Sequence, residues 1–600
     1  MHLTNNSRDT LAIIGSGPSC IYLLKHLLDG AAMFREGLAV IEVFEKRRTA
    51  GLGMPYNPET TERINMCNIS SEELPDLAIS FVDWLRGLDP HRLEEFGIEP
   101  DEISESEVYS RLALGEYLHS QYQAIIAGLS AAGISVCEHT NCKIVDVKEE
   151  YDRVTLIEDG GARFTFDRVV LATGHYWPED DHPESGHYAS PWPISKLLPA
   201  KGQTYNFTIG TLGASLSAFD VVSSLAHRHG TFVKEGRGLA FRPHPGTEDF
   251  RIAMHTSDGL LPHLQYSQVE PIREIERYVT EEELLAMRDE DGFLRLATYF
   301  DRVCRPALIE AFQKDEMPEI VALLKDATFG IEDFAAKMTD EHDYSDAFAG
   351  MRAEMKEAVD SVTHHNPIHW KEVVDDLMYT LNFYAELLPA EDHLTLRSKF
   401  MPFLMNVIAA LPLPSAHILL ALNDAGKLEI VPGRVEVTEP VTGATTTTIT
   451  VDQEGRKSEM TYRMFVNCSG QGALALDDFP FPSFLAAGGI RKARAAFADT
   501  RNIDNLPEEK RAQFFEEDGR CYYPIGGVDI DRGYRLIGRD GLASRKVADL
   551  SFPHTSGVRP YSYGLQACND TARLFVASWL SDLTKPVSDA VRGALPERIS

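Results

Sequence analysis

The chain has few cysteines for its length, and they form no recognisable set. Only eight occur in 600 residues, and no two are spaced as Cys-x-x-Cys. Cysteines scattered in this way exclude the disulfide framework of a small secreted domain. The missing Cys-x-x-Cys also weighs against a structural zinc site and against a redox-active disulfide reductase. The cysteines are Cys20, Cys67, Cys137, Cys142, Cys304, Cys468, Cys521 and Cys568.

Positive charge is also scarce. Lys and Arg total 58 against 91 Asp and Glu, which gives a net charge of −33 at pH 7. A surface this acidic repels phosphate backbones and anionic lipids, so we expect no nucleic-acid partner and no membrane partner. An anionic cofactor is still compatible with this charge, because local backbone donors bind it.

Long apolar runs are absent as well. The N-terminal MHLTNNSRDT lacks the hydrophobic segment of a signal peptide. The most apolar stretch, 403–422, is interrupted by Pro412 and Pro414 and predicts two buried helices rather than a membrane span. With 44% hydrophobic and 25% charged residues, the composition is that of an ordinary globular protein. We expect it in the cytoplasm.

A glycine turn near the N-terminus is the strongest local signal. Residues 11–14 predict a buried parallel strand, a helical pattern follows, and residues 38–44 predict a second strand. Between the first strand and the helix, Gly15 permits a tight turn. Gly17 lets a pyrophosphate approach the helix N-terminus, where free N–H groups and the helix dipole favour negative charge. Glu45, after the second strand, can accept hydrogen bonds from a ribose diol.

Two details depart from the usual Gly-x-Gly-x-x-Gly fingerprint. Cys20 takes the third position, where Gly or Ala is usual, although it is small enough for close packing of helix on strand. Glu45 lies 30 residues after Gly15 rather than about 20, because a loop over 29–37 precedes the second strand. Strand, turn, helix and acid together predict a dinucleotide site. The alternative is a Rossmann-like turn that holds no ligand.

A second glycine turn lies about 200 residues further along. Strand residues 207–209 precede Gly213-x-Ser215-x-x-Ala218, a helix follows, and residues 251–255 predict the next strand. Ser and Ala replace two glycines of the fingerprint, and both are small. The pattern predicts a second nucleotide site, and the alternative is a packing turn in a duplicated fold.

The rest of the chain divides into a helical stretch and returning strands. A helical pattern covers 281–421, and strand signals resume at 428–430 and 464–468. The Thr-rich segment 442–451 predicts a hairpin arm, and residues 534–537 predict the last strand. A final helix is predicted from near Gly564.

As a set, these motifs resemble the NAD-binding-domain family that includes FAD-dependent urate hydroxylases and the aspartate N-monooxygenases that make nitrosuccinate. The resemblance covers roughly residues 10–260 and 425–580. Its motifs specify the fold and FAD better than the substrate. The matching segments are IIGSGPSCIYLL, FEKRRTAGLGMPYN, RINM with the following FVDWL, LATGHYWP, LGASLSAFDVV and GLQA.

The resemblance implies an α/β chain with two Rossmann-like dinucleotide-binding domains, for FAD and NAD(P), and a large helical insertion. The expected segments are 8–180 and 476–600 for the FAD-binding domain, 181–278 and 425–475 for the NAD(P)-binding domain, and 279–424 for the insertion.

It also implies the cofactor-binding residues. The first turn would hold the FAD pyrophosphate, and Glu45 the adenosine ribose. Asn65 and Met66 would approach the isoalloxazine, and the helix N-terminus at Gly564 would stabilise the reduced flavin ring. The full set is Gly15, Gly17, Pro18, Ser19, Glu45, Lys46, Gly53, Met54, Asn65, Met66, Gly174 and Gly564 for FAD, with Gly213, Ser215 and Ser217 for NAD(P).

The nicotinamide cofactor is either NADPH or NADH. Many relatives carry Ser-Arg-x-Gly where this chain has Thr-Ser-Asp-Gly at 256–259. Without that arginine, Asp258 at the end of the next strand favours NADH, since an acid there reads a ribose diol.

The implied activity is that of a flavin-dependent monooxygenase. NAD(P)H would reduce FAD, and O₂ would be held as a C4a-(hydro)peroxide before one oxygen passes to a soft nucleophile. We expect N-oxidation of a small amino acid such as aspartate, since the insertion could enclose a small polar substrate. Hydroxylation of a purine or aromatic ring and a non-catalytic nucleotide-binding flavoprotein are the alternatives. The expected partners are the small-molecule substrate and O₂.

Two other groups of side chains invite a functional interpretation. A group of histidines could bind a metal, but Pro367 interrupts their helical spacing and no carboxylate or cysteine completes a set, so we expect no metal site. Three arginines could each bind a substrate carboxylate bidentately, although a single arginine of this kind is more often structural. These residues are His364, His365 and His369, and Arg305, Arg397 and Arg491.

Overall fold

The computed structural model describes residues 8–177, 180–236, 238–342, 346–438 and 443–584. The strands are β1 (Asp9–Ile14), β2 (Leu38–Phe44), β3 (Ser135–His139), β4 (Ile144–Glu149), β5 (Val154–Glu158), β6 (Arg163–Phe166), β7 (Arg168–Leu171), β8 (His187–Tyr188), β9 (Thr208–Leu212), β10 (Gly230–Glu235), β11 (Gly238–Pro243), β12 (Arg251–Thr256), β13 (Leu428–Pro432), β14 (Arg434–Val437), β15 (Thr447–Gln453), β16 (Arg456–Tyr462), β17 (Phe465–Asn467), β18 (Lys492–Ala496), β19 (Phe515–Glu517), β20 (Arg520–Val528), β21 (Arg535–Ile537) and β22 (Ala543–Asp549).

Helices surround these strands and fill the segment between β12 and β13. The α-helices are α1 (Pro18–Asp29), α2 (Ala31–Phe34), α3 (Phe81–Arg86), α4 (Pro90–Phe96), α5 (Arg111–Ala131), α6 (Leu216–His229), α7 (Glu281–Ala286), α8 (Leu296–Tyr299), α9 (Arg305–Lys314), α10 (Pro318–Leu324), α11 (Ile331–His342), α12 (Ala347–His364), α13 (His369–Phe383), α14 (Ala390–Thr395), α15 (Met401–Ile408), α16 (Leu413–Asp424), α17 (Pro482–Ala486), α18 (Glu508–Arg511), α19 (Phe552–Thr555) and α20 (Gly564–Thr584). Short 3₁₀ turns cover Met54–Tyr56, Pro100–Glu102, Ile194–Leu197, Ala385–Leu387, Leu476–Asp478 and Thr500–Asn505, and π-helical turns cover Phe300–Cys304 and Leu396–Phe400.

The first sheet joins the two ends of the chain. Its strand order is β21-β22-β7-β1-β2-β3, and each neighbouring pair is parallel except β21 with β22. Leu11, Ala12 and Ile13 of β1 are fully buried, as an unbroken apolar strand covered on both faces requires. Helix α1 packs against α20 and α5.

The second sheet has the order β13-β12-β9-β17-β8, and all of its pairs are parallel. Strands β13 and β17 follow the helical insertion, so the chain leaves this sheet after β12 and returns to it afterwards. The predicted α/β class, with two Rossmann-like units and a helical insertion, is therefore confirmed.

The insertion also forms a contact with the C-terminal segment. Tyr379 Oη donates to Asp570 Oδ2 at 2.7 Å, and Tyr561 Oη donates to Asp375 Oδ1 at 2.9 Å. Tyr561 is buried in the apolar core of the insertion. These contacts hold the start of α20 against the insertion.

Several local predictions were incomplete. The predicted loop 29–37 contains α2, and residues 534–537 are not the last strand, because β22 follows. The sheet β18-β20-β19 and the ribbon β10-β11 were missed. In the sheet, β20 contains Pro524 and two adjacent glycines, which weaken a strand pattern in the sequence. The predicted arm 442–451 overlaps β15, and residue 442 lies outside the described residues.

The apolar stretch 403–422 forms parts of α15 and α16, as predicted. Among the helices of the described residues, none combines the length and apolarity that crossing a bilayer requires.

Candidate functional site

One large cavity lies at the carboxyl edges of both parallel sheets. It encloses about 1680 Å³, whereas the pocket for one drug-sized ligand encloses roughly 300–1,000 Å³. The first glycine turn, the N-terminus of α6, the helical insertion and the start of α20 all contribute to its wall. Ligands of open α/β sheets bind at this edge. Of the predicted residues, Gly15, Gly17, Pro18, Ser19, Glu45, Lys46, Gly53, Met54, Gly174, Ser217 and Gly564 line it.

The first turn has no room for a side chain at Gly15. Its φ is +100°, and a Cβ there would lie 2.2 Å from the carbonyl oxygen of Ala172. Its amide donates to the carbonyl oxygen of Phe44 at 2.8 Å. These contacts tie the ends of three strands together at one residue that only glycine can occupy without strain.

Gly17 leaves the N-terminus of α1 bare. It is the N-cap, no side chain caps the helix, and the first turn carries no acid. A Cβ on Gly17 would lie 3.2 Å from the Cα of Gly53, and a Cβ on Gly53 would lie 2.7 Å from Cδ of Pro18. The positive end of the helix therefore faces a cleft that two glycines keep open. Such a cleft fits the diphosphate of a dinucleotide.

Glu45 is held at the adjoining edge of the cavity. Its Oε2 accepts a hydrogen bond from Ser16 Oγ at 2.6 Å, and its Oε1 accepts one from the amide of Arg47 at 2.9 Å. Only 9% of the residue is exposed. A carboxylate has lone pairs beyond these two bonds, so Glu45 is oriented and still able to accept from a diol.

The second turn repeats the first. Gly213 has φ +102°, a Cβ on it would lie 2.8 Å from the carbonyl oxygen of Cys468, and its amide donates to His255 O at 2.7 Å. Ser215 is the N-cap of α6, which has no side-chain cap and no acid in its first turn. Ser217 lines the cavity, whereas Gly213 and Ser215 lie behind its wall. The N-terminus of α6 therefore resembles that of α1: each follows a positive-φ glycine, has no side-chain cap and has no acid in its first turn.

The two turns can also be compared at the position that would read the ribose. Glu45 directly follows the residue that accepts the first glycine amide, and Thr256 directly follows the residue that accepts the second. Asp258 lies two residues beyond this position. Oδ1 of Asp258 accepts hydrogen bonds from Thr256 Oγ1 at 2.9 Å and from the amide of Leu260 at 3.0 Å. The exposed carboxylate of Asp258 thus belongs to a turn at the rim.

We expect Asp258→Asn to raise the use of NADPH relative to NADH about fivefold. The amide keeps the turn's acceptor oxygen but removes a charge that repels a 2′-phosphate, an effect on the order of 1 kcal/mol near a surface. Anaerobic rates of flavin reduction by each nucleotide measure the ratio. Asp540→Asn, in another exposed turn where the carboxylate accepts from an amide at 3.0 Å, is the matched control. An unchanged ratio in Asp258→Asn would contradict the expectation that Asp258 favours NADH over NADPH.

Asn65 and Met66 lie outside the cavity wall. Asn65 is buried, and its Nδ2 donates to Ser224 Oγ at 3.1 Å and to the carbonyl oxygen of Asp220 at 3.3 Å. Met66 forms an isolated bridge with Ser110. The structure therefore gives Asn65 a contact between the first domain and α6 of the second.

A buried His–Asp pair, missed by the sequence analysis, lies at the cavity wall. Asp549 ends β22, and its Oδ2 lies 2.7 Å from Nδ1 of His554. Its Oδ1 accepts from the amide of Ser551 at 2.8 Å. His554 lines the cavity. The two residues are only five apart in the sequence, but their place at the cavity wall depends on the pairing of β22 with β7 from a distant part of the chain.

Three thiols, those of Cys67, Cys142 and Cys568, line the cavity, and desolvation raises the pKa of each. Burial raises the pKa of Cys67 to about 12 and also raises the pKa of Cys568. Burial likewise raises the pKa of Cys20 in the first turn. Neutral buried thiols are weak nucleophiles, which agrees with a structural role.

The histidines near Pro367 face separate partners. His364 Nδ1 lies 3.0 Å from Asp360 Oδ1, and His369 Nδ1 lies 2.7 Å from Asp315 Oδ1. Across the described ranges, no group of three or more His, Cys, Asp or Glu is arranged to hold a metal ion.

A comparison with protein families agrees with a nucleotide site at the first glycine turn. Residues 12–176 match the family described as FAD-NAD(P)-binding, and residues 280–408 match the family described as YdhS-like middle domain. The protein named "Uncharacterized protein YdhS" from Escherichia coli (strain K12) is 26% identical over 587 residues, which cover 97% of this chain and 98% of that protein. The first match, together with the two open helix N-termini, confirms the predicted cofactors, FAD with NAD(P).

Solved structures are also similar to this chain. Ornithine N-hydroxylase from Kutzneria sp. 744 is 13% identical, with a TM-score of 0.43 over 96% of this chain and 100% of its own. L-lysine 6-monooxygenase from Pseudomonas syringae is 14% identical, with a TM-score of 0.45 over 96% and 100%. Bacillithiol disulfide reductase from Bacillus cereus is 11% identical, with a TM-score of 0.41 over 96% and 100%.

Proposed function

We propose that this chain is a FAD-dependent monooxygenase that consumes NAD(P)H and O₂ and oxidises the nitrogen of a small amino acid, with aspartate as the first candidate. The observation that carries the proposal is the shared cavity, which the first glycine turn, Ser217 of the second turn and the helical insertion line together. Its volume exceeds that of a pocket for one ligand. A dinucleotide on the first turn therefore leaves room for a substrate beside it.

The thiols at the wall favour an oxygen-dependent reaction over disulfide reduction. Cys67 and Cys568 are kept protonated by burial, and the sequence has no Cys-x-x-Cys. No protein disulfide is therefore available to accept electrons. The acceptor must be a molecule that enters the cavity.

The insertion contributes a wall of mixed polarity. Met401, Met405 and Ile408 supply apolar surface, and Asp375 supplies a carboxylate that is paired with Arg273 from the segment before the insertion. Pockets with mainly apolar walls and a few placed polar groups suit small polar ligands. This composition fits an amino acid better than a large planar ring.

Residues of the chain would bind the reactants and manage protons. Bound FAD supplies the redox chemistry between NAD(P)H and O₂. One oxygen atom joins the amine nitrogen, the other leaves as water, and NAD(P)H supplies two electrons. An α-amino group carries a proton at neutral pH, and only a neutral amine can be oxidised. With Nδ1 bonded to Asp549, Nε2 of His554 is the atom that would accept this proton.

The purified protein tests the proposal. We expect a yellow protein that NADH or NADPH bleaches without oxygen, and whose NAD(P)H oxidation in air rises with L-aspartate while little peroxide is released. Detection of the N-hydroxy product completes the test. A colourless protein, or oxidation that L-aspartate leaves unchanged with stoichiometric peroxide, would contradict the proposal. Stimulation by urate instead would indicate ring hydroxylation.

A further inference from the structure

Arg397 stands at an irregular point of the insertion. It lies in the π-helical turn Leu396–Phe400, between α14 and α15. Pro402, in the first turn of α15, has no N–H to donate to the preceding turn, which accounts for the wider turn before it. Turns of this kind occur frequently at functional sites. This one brings Arg397 to the cavity wall.

The guanidinium of Arg397 has no carboxylate partner among the ion pairs of the described residues. Within the described residues, its Nη2 donates a hydrogen bond to the carbonyl oxygen of Gly557 at 3.3 Å. Other partly buried arginines are paired: Arg273 lies 2.9 Å from Asp375, and Arg491 lies 2.6 Å from Asp529. Of the arginines that the sequence singled out, Arg305 is bound by Asp301 and by backbone carbonyls.

The surroundings of Arg397 disfavour an unpaired charge. Burial lowers the pKa of Arg397, and the Tyr523 phenol offsets this only in part. His393, one helical turn earlier, is neutral, because burial lowers its pKa to about 3. Arginine stays protonated in proteins, so an anion beside it would remove an electrostatic penalty.

Glycine backbone packs closely beside the guanidinium, which lines the cavity. Gly526 has φ +82°, and a Cβ on it would lie 2.7 Å from the Cβ of Ala473 and 3.9 Å from Nη1 of Arg397. Ala473 and His554 both line the same cavity. The next residue, Gly527, would bring a Cβ to 2.2 Å from the carbonyl oxygen of His554. Bare backbone thus connects the arginine with the turn that carries the histidine.

We propose that Arg397 binds a carboxylate of the substrate and so makes the enzyme specific for a small carboxylic acid. A planar guanidinium donates two parallel hydrogen bonds to a carboxylate. The inference rests on the proposed function, because only that function makes the bound carboxylate a substrate. Binding of a carboxylate can nevertheless be measured without turnover.

Succinate is the probe, because it has two carboxylates and no amine to oxidise. Its binding to the flavin-loaded protein is measured by the shift in thermal unfolding and by flavin absorbance, with succinamide as the uncharged analogue. We expect succinate to bind and succinamide not to bind. Arg397→Gln should weaken succinate binding about 10- to 100-fold, as expected for loss of a charge-assisted hydrogen bond, and Arg397→Lys should retain part of the affinity.

Arg501→Gln is the matched control. It removes the same charge from an exposed arginine whose partner is Asp499, and Arg501 does not line the cavity. Succinate binding equal to that of the native protein in Arg397→Gln, with flavin bound, would overturn the inference. Loss of flavin in both Arg397 variants would also overturn it, since the residue would then hold the cofactor.

The outcome is separable from that of the proposed function. If L-aspartate fails to stimulate NAD(P)H oxidation but succinate binding still depends on Arg397, the monooxygenase assignment fails and the carboxylate site stands. If L-aspartate is oxidised by Arg397→Gln with an unchanged KM, the activity stands and the inference is wrong.

Discussion

Gly17→Val is expected to yield a folded protein without bound flavin. The φ of Gly17 is −74°, which valine tolerates, and a Cβ there would lie 3.2 Å from the Cα of Gly53. The two branching methyl groups would fill the cleft over the α1 N-terminus, where the diphosphate requires bare N–H groups. The ratio of flavin to protein absorbance after purification measures the loss, and circular dichroism tests the fold.

Two further glycines sharpen this test. Gly37→Val places the same side chain at an exposed turn where a Cβ meets only Phe34 O at 3.9 Å, so flavin content should be unchanged. Gly15→Val should impair folding itself, because its Cβ would collide with Ala172 O. Full flavin content in Gly17→Val would refute the assignment of the first turn.

The glycine turns were predictable because their chemistry is local. A strand, two small residues and a helix follow one another within about a dozen residues, and both turns have the geometry that this order predicts. Glu45 was predictable for the same reason, since it ends the next strand. In the second turn, Asp258 lies two residues beyond the position equivalent to Glu45, and this comparison depends on the pairing of β12 with β9.

The far wall of the cavity could not be predicted from the sequence. It is formed by residues from the insertion, the segment 469–481 and the C-terminal turn, which approach one another only in the folded chain. Three arginines are equivalent candidates in the sequence. In the structure Arg305 and Arg491 form ion pairs with aspartates, which distinguishes them from Arg397. His554 and Asp549 are close in sequence, but the position of this pair at the cavity depends on where β22 joins the sheet.

Asn65 is an expected cofactor-binding residue that does not line the cavity. The resemblance implied contact with the flavin ring, yet its amide is bonded to α6. Next to it, Arg111 Nη1 lies 2.7 Å from Asp220 Oδ2, and both side chains are at least 90% buried. Helix α5 of the first domain and α6 of the second are thus joined by a buried ion pair.

Arg111→Met is expected to destabilise the protein by about 3–5 kcal/mol at pH 8, the usual cost of leaving a buried charge without its partner. Burial already raises the pKa of Asp220 to about 6, from an ordinary value of 3.8, although Arg111 opposes the rise. Without the arginine this pKa would rise further. Thermal or urea unfolding of the variant and the native protein, measured across pH, tests the prediction.

The pH dependence has a definite sign. A carboxyl whose pKa is raised on folding contributes stability below its unfolded pKa, and this contribution is lost as pH rises through the folded pKa. The deficit of Arg111→Met should therefore be largest near pH 8 and smaller near pH 5, where Asp220 can be neutral. Arg111→Met combined with Asp220→Leu, which removes both charges, should recover most of the stability. A deficit that is the same at both pH values, or no recovery in the double variant, would show that the pair does not couple the two domains electrostatically.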